Sequence, residues 1–171
     1  MSALNENLLP EVLSGLEAMT AIRRDLHAHP ELGMCEVRTA KIAADALRAM
    51  GCDEVVEGIG KTGVAAVIRG GKRNPGHLVT IALRADIDAL PVEEAEGLAC
   101  RSVVPGISHV CGHDAHAAML LGTAKLLLSL KDEIPGTVKF FFQHAEELAP
   151  GGAAEMVRAG VLDGVDACVG L

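Results

Sequence analysis

Residues 109–116 are the segment of this sequence best suited to chemistry. They hold three imidazoles, a thiol and a carboxylate, among them Cys111, His113 and Asp114. Thiolate and imidazole are the preferred ligands of zinc and similar ions, and Gly112 lets the backbone turn so that Cys111 and His113 can face one ion. Structural zinc sites usually bring four closed ligands in paired spacings. The pattern therefore favours a catalytic or substrate-facing metal over a structural one, with Asp114 as a helix N-cap or as a partner of an imidazole.

Two acidic segments accompany this one. Asp86 and Asp88 follow one apolar run, and Glu146 and Glu147 follow another. Neighbouring carboxylates in a partly dry site repel each other, and a metal relieves that cost. One of them can bind the metal while the other accepts a proton from a water. Taken alone, the first segment also fits a helix cap or a salt bridge to Arg84, and the second fits a solvated acidic loop.

The elements that must position these residues alternate along the chain. Apolar spacing predicts helices from about residue 9 to His29-Pro30, and at 37–50, 115–130 and 153–158. Short runs rich in Val, Ile and Phe predict strands at 64–68, 78–83, 138–142 and 167–171. This order predicts an α/β fold with a mostly parallel sheet and helices on both faces. In such sheets ligands bind beyond the carboxyl ends of the strands, where all three reactive segments fall.

Residues 58–63, Gly-Ile-Gly-Lys-Thr-Gly, match the dinucleotide-binding fingerprint. That fingerprint needs a following helix whose N-terminus holds the pyrophosphate, whereas residues 64–68 predict a strand. A phosphate loop would need glycine at position 55, where the chain has valine. We therefore predict a tight turn here and no nucleotide site.

Composition excludes several classes of protein. Half of the residues are hydrophobic and 22% are charged, which excludes a disordered tail. The net charge of −8 argues against nucleic acid as a partner. The longest apolar helix, 115–130, contains His116 and Lys125 and is too short to span a membrane. Five cysteines without an N-terminal signal pattern predict free thiols and a reducing, cytoplasmic location.

Four motifs stand in order along the chain: RRDLHAHPELG at 23–33, RADIDALP at 84–91, HVCGHDAHAAM at 109–119 and QHAEE at 143–147. In order and spacing they resemble the signatures of the hippurate hydrolase and N-acyl-L-amino acid amidohydrolase branch of the aminoacylase- and carboxypeptidase-type dinuclear metallopeptidases. The resemblance covers the chain from about residue 10 to its end. Broader relatives carry a histidine ligand where this sequence has Arg84, and arginine there is common in the amidohydrolase branch.

The resemblance implies a zinc-exopeptidase-like catalytic domain that hydrolyses the amide bond of N-acyl amino acids, hippurate-like or N-acetylated. The products are a carboxylic acid and a free amino acid, and two divalent ions, zinc or manganese, serve as cofactors. Cys111, His113 and Glu147 are the implied metal ligands and Glu146 the implied general base. Asp86 is the implied carboxylate that orients a metal-binding imidazole.

Relatives in this family are longer, so residues 1–171 are expected to be the N-terminal portion of the catalytic domain. Its C-terminal part, two further histidine ligands and a lid domain that pairs subunits are expected to lie outside it. The expected partner is a small-molecule substrate, and full-length relatives are expected to be homo-oligomers. Two alternatives stay open: a catalytically inactive fragment, and a structural or redox metal module around Cys111.

Overall fold

The computed structural model describes residues 10–76 and 78–171. Within these ranges the helices are α1 (Pro10–Ala28), α2 (Val37–Met50), α3 (His113–Ser129) and α4 (Gly152–Arg158), and a 3-10 turn spans Lys131–Glu133. The strands are β1 (Glu54–Ile59), β2 (Gly63–Arg69), β3 (Thr80–Asp86), β4 (Thr137–Gln143) and β5 (Ala167–Gly170). No helix in these two ranges is both long and apolar enough to cross a membrane.

Most of the predicted elements agree closely with these bounds. The bounds of α2 are those predicted, and its end is fixed by Gly51, whose φ of 92° is the left-handed conformation that glycine adopts without strain. The predicted start of the first helix at residue 9 lies outside the described residues. β3 runs to Asp86, three residues beyond its predicted end. A turn follows β1 and leads directly into β2, as predicted for residues 58–63.

One five-stranded sheet, in the order β1-β2-β4-β3-β5, forms the centre of the fold. β3 pairs in parallel with both β4 and β5, whereas β2 pairs antiparallel with β1 and β4. The α/β class is confirmed, but the parallel arrangement holds only for β3, β4 and β5. β1 was not predicted because Glu54 and Glu57 interrupt its apolar residues, and the strand is largely exposed at the sheet edge.

Helices cover both faces of the sheet, as predicted. On one face α2 and α3 pack against the sheet and α1 packs against α3. The core between them includes Leu26, Leu47, Ile68, Leu121 and Phe142. On the other face α4 and the segment after it pack against the sheet through a smaller cluster of Ala82, Phe141, Met156 and Val161. Successive residues of β4 therefore anchor opposite layers, which fixes the position of the strand in both directions.

We expect Phe142→Ala to lower the free energy of unfolding by about 3–5 kcal/mol, because a fully buried ring is replaced by a cavity. Val157→Ala is the matched control, since Val157 is exposed on α4 and its truncation should change stability by less than about 0.5 kcal/mol. Urea denaturation measures both variants. A loss for Phe142→Ala no larger than that of the control would contradict this core assignment.

Candidate metal centre

The site lies at the carboxyl ends of the two central parallel strands. Asp86 ends β3 opposite Gln143, which ends β4, and the Ile87 amide donates a 3.0 Å hydrogen bond to the Gln143 carbonyl. Leu90 then pairs with Ser108 in an isolated bridge, which returns the chain to the start of α3. The three reactive segments predicted from the sequence therefore converge at one edge of the sheet.

His113, the first residue of α3, is at the centre of this cluster. Its Nδ1 lies 2.9 Å from the backbone carbonyl of Asp88. A carbonyl can only accept, so Nδ1 carries the hydrogen and the lone pair of the neutral ring is on Nε2. That Nε2 lies 3.5 Å from Asp86, 3.9 Å from Glu146 and 3.8 Å from Glu147. The ring thus presents a metal-binding nitrogen to three carboxylates.

One possible ligand set consists of Cys111, His113 and Glu147, whose ligand atoms all lie within 4.8 Å of one another. Ligand atoms around a tetrahedral zinc ion are about 3.3–3.8 Å apart, given the usual zinc–ligand bond lengths. Small side-chain movements would therefore close this set around an ion. The thiol is exposed and Glu147 is partly exposed, so the position is open to solvent and to a substrate.

A second possible set consists of Asp86, His113 and His116. His116 Nδ1 lies 2.7 Å from Asp86 Oδ1, and the His113 and His116 rings stack with centroids 5.5 Å apart. Because His113 Nδ1 is committed to Asp88, both sets depend on the single lone pair of Nε2. One ion can take all three ligands of one set, and the other set would then lack the imidazole nitrogen of His113.

Negative charge dominates the electrostatics of the site. The hydrogen bond to Glu147, burial and the neighbouring carboxylates raise the pKa of Cys111. Burial lowers the pKa of His113, but the hydrogen bond to Asp88 and the charges of Asp86 and Asp88 outweigh burial and raise it. A divalent cation would reverse both effects, since it favours thiolate and neutral imidazole. The donor set of sulfur, nitrogen and oxygen fits such an ion.

Asp88 belongs to the site, although the sequence alone did not indicate its role. It is almost fully buried, its Oδ1 lies 3.2 Å from His113 Nδ1, and its Oδ2 accepts a 3.0 Å hydrogen bond from the Glu147 amide. Burial raises its pKa, but these hydrogen bonds outweigh burial and lower it. Asp86 faces His116 and receives a 2.7 Å hydrogen bond from Arg84. Nothing in the spacing of the two aspartates distinguishes their partners.

A buried polar network supports α3 from behind. Asp114 was expected as an N-cap or an imidazole partner. Gly112 is the N-cap and makes no side-chain cap hydrogen bond, and Asp114 is the partner of an imidazole, that of His27. The Asp114 carboxylate lies 2.7 Å from Arg23 Nε and 2.7 Å from His27 Nδ1, both on α1. His27 Nε2 in turn lies 2.6 Å from Glu94. The first motif of the sequence thus fixes the helix that carries His113.

The other two histidines near the site are buried rather than on the surface. His109 has no hydrogen-bond partner for either ring nitrogen in the described part of the chain, and burial lowers its pKa to about 4. His144 Nε2 lies 3.2 Å from Glu155 of α4. All five cysteines are free thiols, as predicted.

Comparison with known proteins identifies the family. The sequence profile of peptidase family M20/M25/M40 matches residues 82–171, which include all three reactive segments. The chain belongs to this family. The chain is 51% identical over 150 residues to the N-acyl-L-amino acid amidohydrolase of Geobacillus stearothermophilus, and the match covers 88% of this chain. It is 48% identical over 170 residues to thermostable carboxypeptidase 1 of Saccharolobus solfataricus, covering 98% of this chain.

A solved structure shows the same fold. The YxeP protein of Bacillus subtilis, described as a dinuclear metal-binding peptidase of the M20 family, superposes with a TM-score of 0.84 at 44% identity over 92% of this chain. The chain spans 39% and 42% of the lengths of the two relatives named above and 43% of the length of YxeP. It therefore corresponds to about two fifths of each.

We expect Asp88→Asn to weaken zinc binding about 10–100-fold, the usual effect of removing a group that orients a metal ligand. Each carboxylate oxygen of Asp88 faces an N–H donor, and asparagine offers only one acceptor oxygen for the two. Titration of the metal-free chain with zinc against a competing chelator measures the change. Asp45→Asn, on the exposed face of α2, is the control and should bind like the wild type. Equal affinity of all three proteins would rule out an orienting role for Asp88.

Glu94 makes the fold sensitive to acid. Burial raises its pKa, but hydrogen bonds from the Ser102 amide and His27 outweigh burial and hold the pKa below its ordinary value of 4.5. The unfolded chain therefore takes up this proton more readily, so the stabilisation is present above pH 4.5 and is lost as the pH falls below it. Between about pH 6 and about pH 3, which lie on either side of the pKa of a free glutamate, the free energy of unfolding of Glu94→Gln should fall less than that of the wild type. Parallel acid profiles of the two proteins would contradict this assignment.

Proposed function

We propose that this chain carries the metal-binding part of an amidohydrolase that cleaves the amide bond of N-acyl amino acids. The observation that carries the proposal is the convergence of Cys111, His113 and Glu147 beside an exposed carboxylate, Glu146. The 51% identity to an N-acyl-L-amino acid amidohydrolase supports this substrate class. The products would be a carboxylic acid and a free amino acid.

Cys111, His113 and Glu147 would hold the first divalent ion, and Asp86 with His116 would contribute to a second. Zinc or manganese suits this mixed donor set. A bound divalent ion supplies Lewis acidity, which polarises the amide carbonyl and lowers the pKa of water. A thiol ligand must stay reduced, so we place the protein in the cytoplasm.

Glu146 is proposed as the general base. Its side chain is 42% exposed and its Oε2 lies 3.9 Å from His113 Nε2, so it can reach both the ligand cluster and a substrate in solvent. As water attacks the amide carbon, Glu146 accepts the proton. It then donates that proton to the amine nitrogen as the carbon–nitrogen bond breaks. Asp88 meanwhile keeps His113 Nδ1 protonated, so that Nε2 stays available.

A second candidate is a metal-binding part that turns over no substrate by itself. The observation that favours it is the shared lone pair of His113, for which the two possible ligand sets compete. Such a chain would bind one ion well and a second weakly. The two candidates differ in stoichiometry and in turnover.

We expect Glu146→Gln to lower kcat about 10²–10⁴-fold while bound metal is unchanged, because glutamine cannot accept the proton. The assay uses N-acetyl and N-benzoyl amino acids with zinc or manganese added, and mass spectrometry counts the metal per chain. Glu17→Gln, on exposed α1 surface, is the control and should match the wild type.

The outcomes separate the two candidates. Turnover by the wild type that Glu146→Gln leaves intact would refute Glu146 as the base. One bound ion and no turnover by the wild type would support the second candidate. A wild-type chain that binds neither zinc nor manganese would refute both.

A further inference from the structure

Glu36 is a fully buried carboxylate outside the cluster that faces His113. It immediately precedes α2, yet its side chain makes no capping hydrogen bond to that helix. It forms no ion pair within residues 10–76 and 78–171. Instead it accepts hydrogen bonds from two donors far away in sequence, the Thr62 hydroxyl at 2.6 Å and the Ala145 amide at 2.8 Å. Burying a carboxylate is costly unless it is hydrogen-bonded, so the role of Glu36 lies with the two groups that donate to it.

The N-terminus of α2 does not need Glu36, because Glu31 already caps it. The Arg38 amide donates a 3.0 Å hydrogen bond to one Glu31 oxygen, and the Thr39 amide donates a 2.7 Å hydrogen bond to the other. Two acidic residues thus stand near the same helix end, and only one of them satisfies its free amides. Glu36 is directed elsewhere.

Ala145 is the residue that turns the chain from β4 into the Glu146–Glu147 pair. Its φ of 47° lies in the left-handed region, which is uncommon for a residue other than glycine, and it is fully buried. Its amide is held by Glu36 and its carbonyl accepts a 3.0 Å hydrogen bond from the Gly152 amide. A left-handed residue persists where its surroundings hold it there. Both peptide groups of Ala145 are held in this way.

We infer that Glu36 is a positioning residue, which holds the Ala145 amide so that the left-handed turn directs Glu146 and Glu147 towards His113. This inference rests on the proposed metal site. Glu36 holds the amide before the pair, and Asp88 holds the amide of Glu147. Two buried carboxylates therefore fix the backbone on both sides of Glu146.

The test uses Glu36→Ala, which removes the acceptor, and Glu36→Gln, which keeps one oxygen for the Ala145 amide and an amide group for the Thr62 hydroxyl. Glu31→Ala is the matched control, because it removes the carboxylate that caps the N-terminus of α2 and has no hydrogen bond to the Ala145 turn. Amide hydrogen exchange at Ala145 in the metal-free chain reports on the turn. Zinc titration reports on the site.

For Glu36→Ala we expect exchange at Ala145 to be about tenfold faster and zinc affinity about tenfold weaker, the size of one lost hydrogen bond. Glu36→Gln should stay within about threefold of the wild type in both measurements. Glu31→Ala should lower the melting temperature with both of these readouts unchanged. A merely structural role for Glu36 would make the two alanine variants alike.

Unchanged exchange at Ala145 in Glu36→Ala would overturn the inference, as would faster exchange with unchanged zinc affinity. If Glu36→Ala does not fold, Glu36→Gln decides: wild-type behaviour supports the hydrogen-bond role, and loss of zinc affinity in a folded protein overturns it. A wild-type chain that binds neither zinc nor manganese would refute the proposed function, while exchange at Ala145 would still decide whether Glu36 holds the turn.

Discussion

The site depends on the hydrogen bonds of one buried carboxylate, that of Asp88. It lies just beyond β3, faces the Nδ1 of His113 at the start of α3, and accepts a hydrogen bond from the Glu147 amide beyond β4. Three segments that are distant in sequence are therefore joined by one buried group. Because one of its oxygens serves the imidazole and the other serves the backbone of a second candidate ligand, the two ligands cannot move independently.

Buried carboxylates with backbone partners recur around this site. Asp88 and Glu36 both accept hydrogen bonds from backbone amides, whereas Asp114 is held by the side chains of Arg23 and His27. Amide donors stabilise a carboxylate without cancelling its charge, so negative charge accumulates at the edge of the sheet. The pKa of Cys111 is raised chiefly by its hydrogen bond to Glu147, and the pKa of His113 is raised, against the effect of burial, by Asp88 and Asp86. Arg23 and Arg84 offset part of this charge, at Asp114 and Asp86, and a cation bound beside the remaining carboxylates would offset more of it.

The sequence was sufficient to predict the elements with strong local patterns and to predict that the residues with distinctive chemistry lie together at one edge of the sheet. The bounds of α2 follow from apolar spacing and Gly51. Residue types singled out Cys111 and His113, whereas the family resemblance implied the choice of Glu147 over Glu146 as a ligand. β1 was missed because an exposed edge strand has no apolar alternation to read. Glu36 was missed because its partners stand 26 and 109 positions away, and no local pattern distinguishes a capping carboxylate from one that crosses the core.

The mixed sheet explains how residues far apart in sequence are held at fixed positions relative to one another. β4 lies between antiparallel β2 and parallel β3, so its end is fixed from both sides before the chain enters the Ala145 turn. The same strand packs Phe142 into the larger core and Phe141 into the smaller one. An ion bound at the end of β4 would therefore connect groups from β3, α3 and the turn. Since those groups meet only in the folded chain, metal binding and folding must stabilise each other.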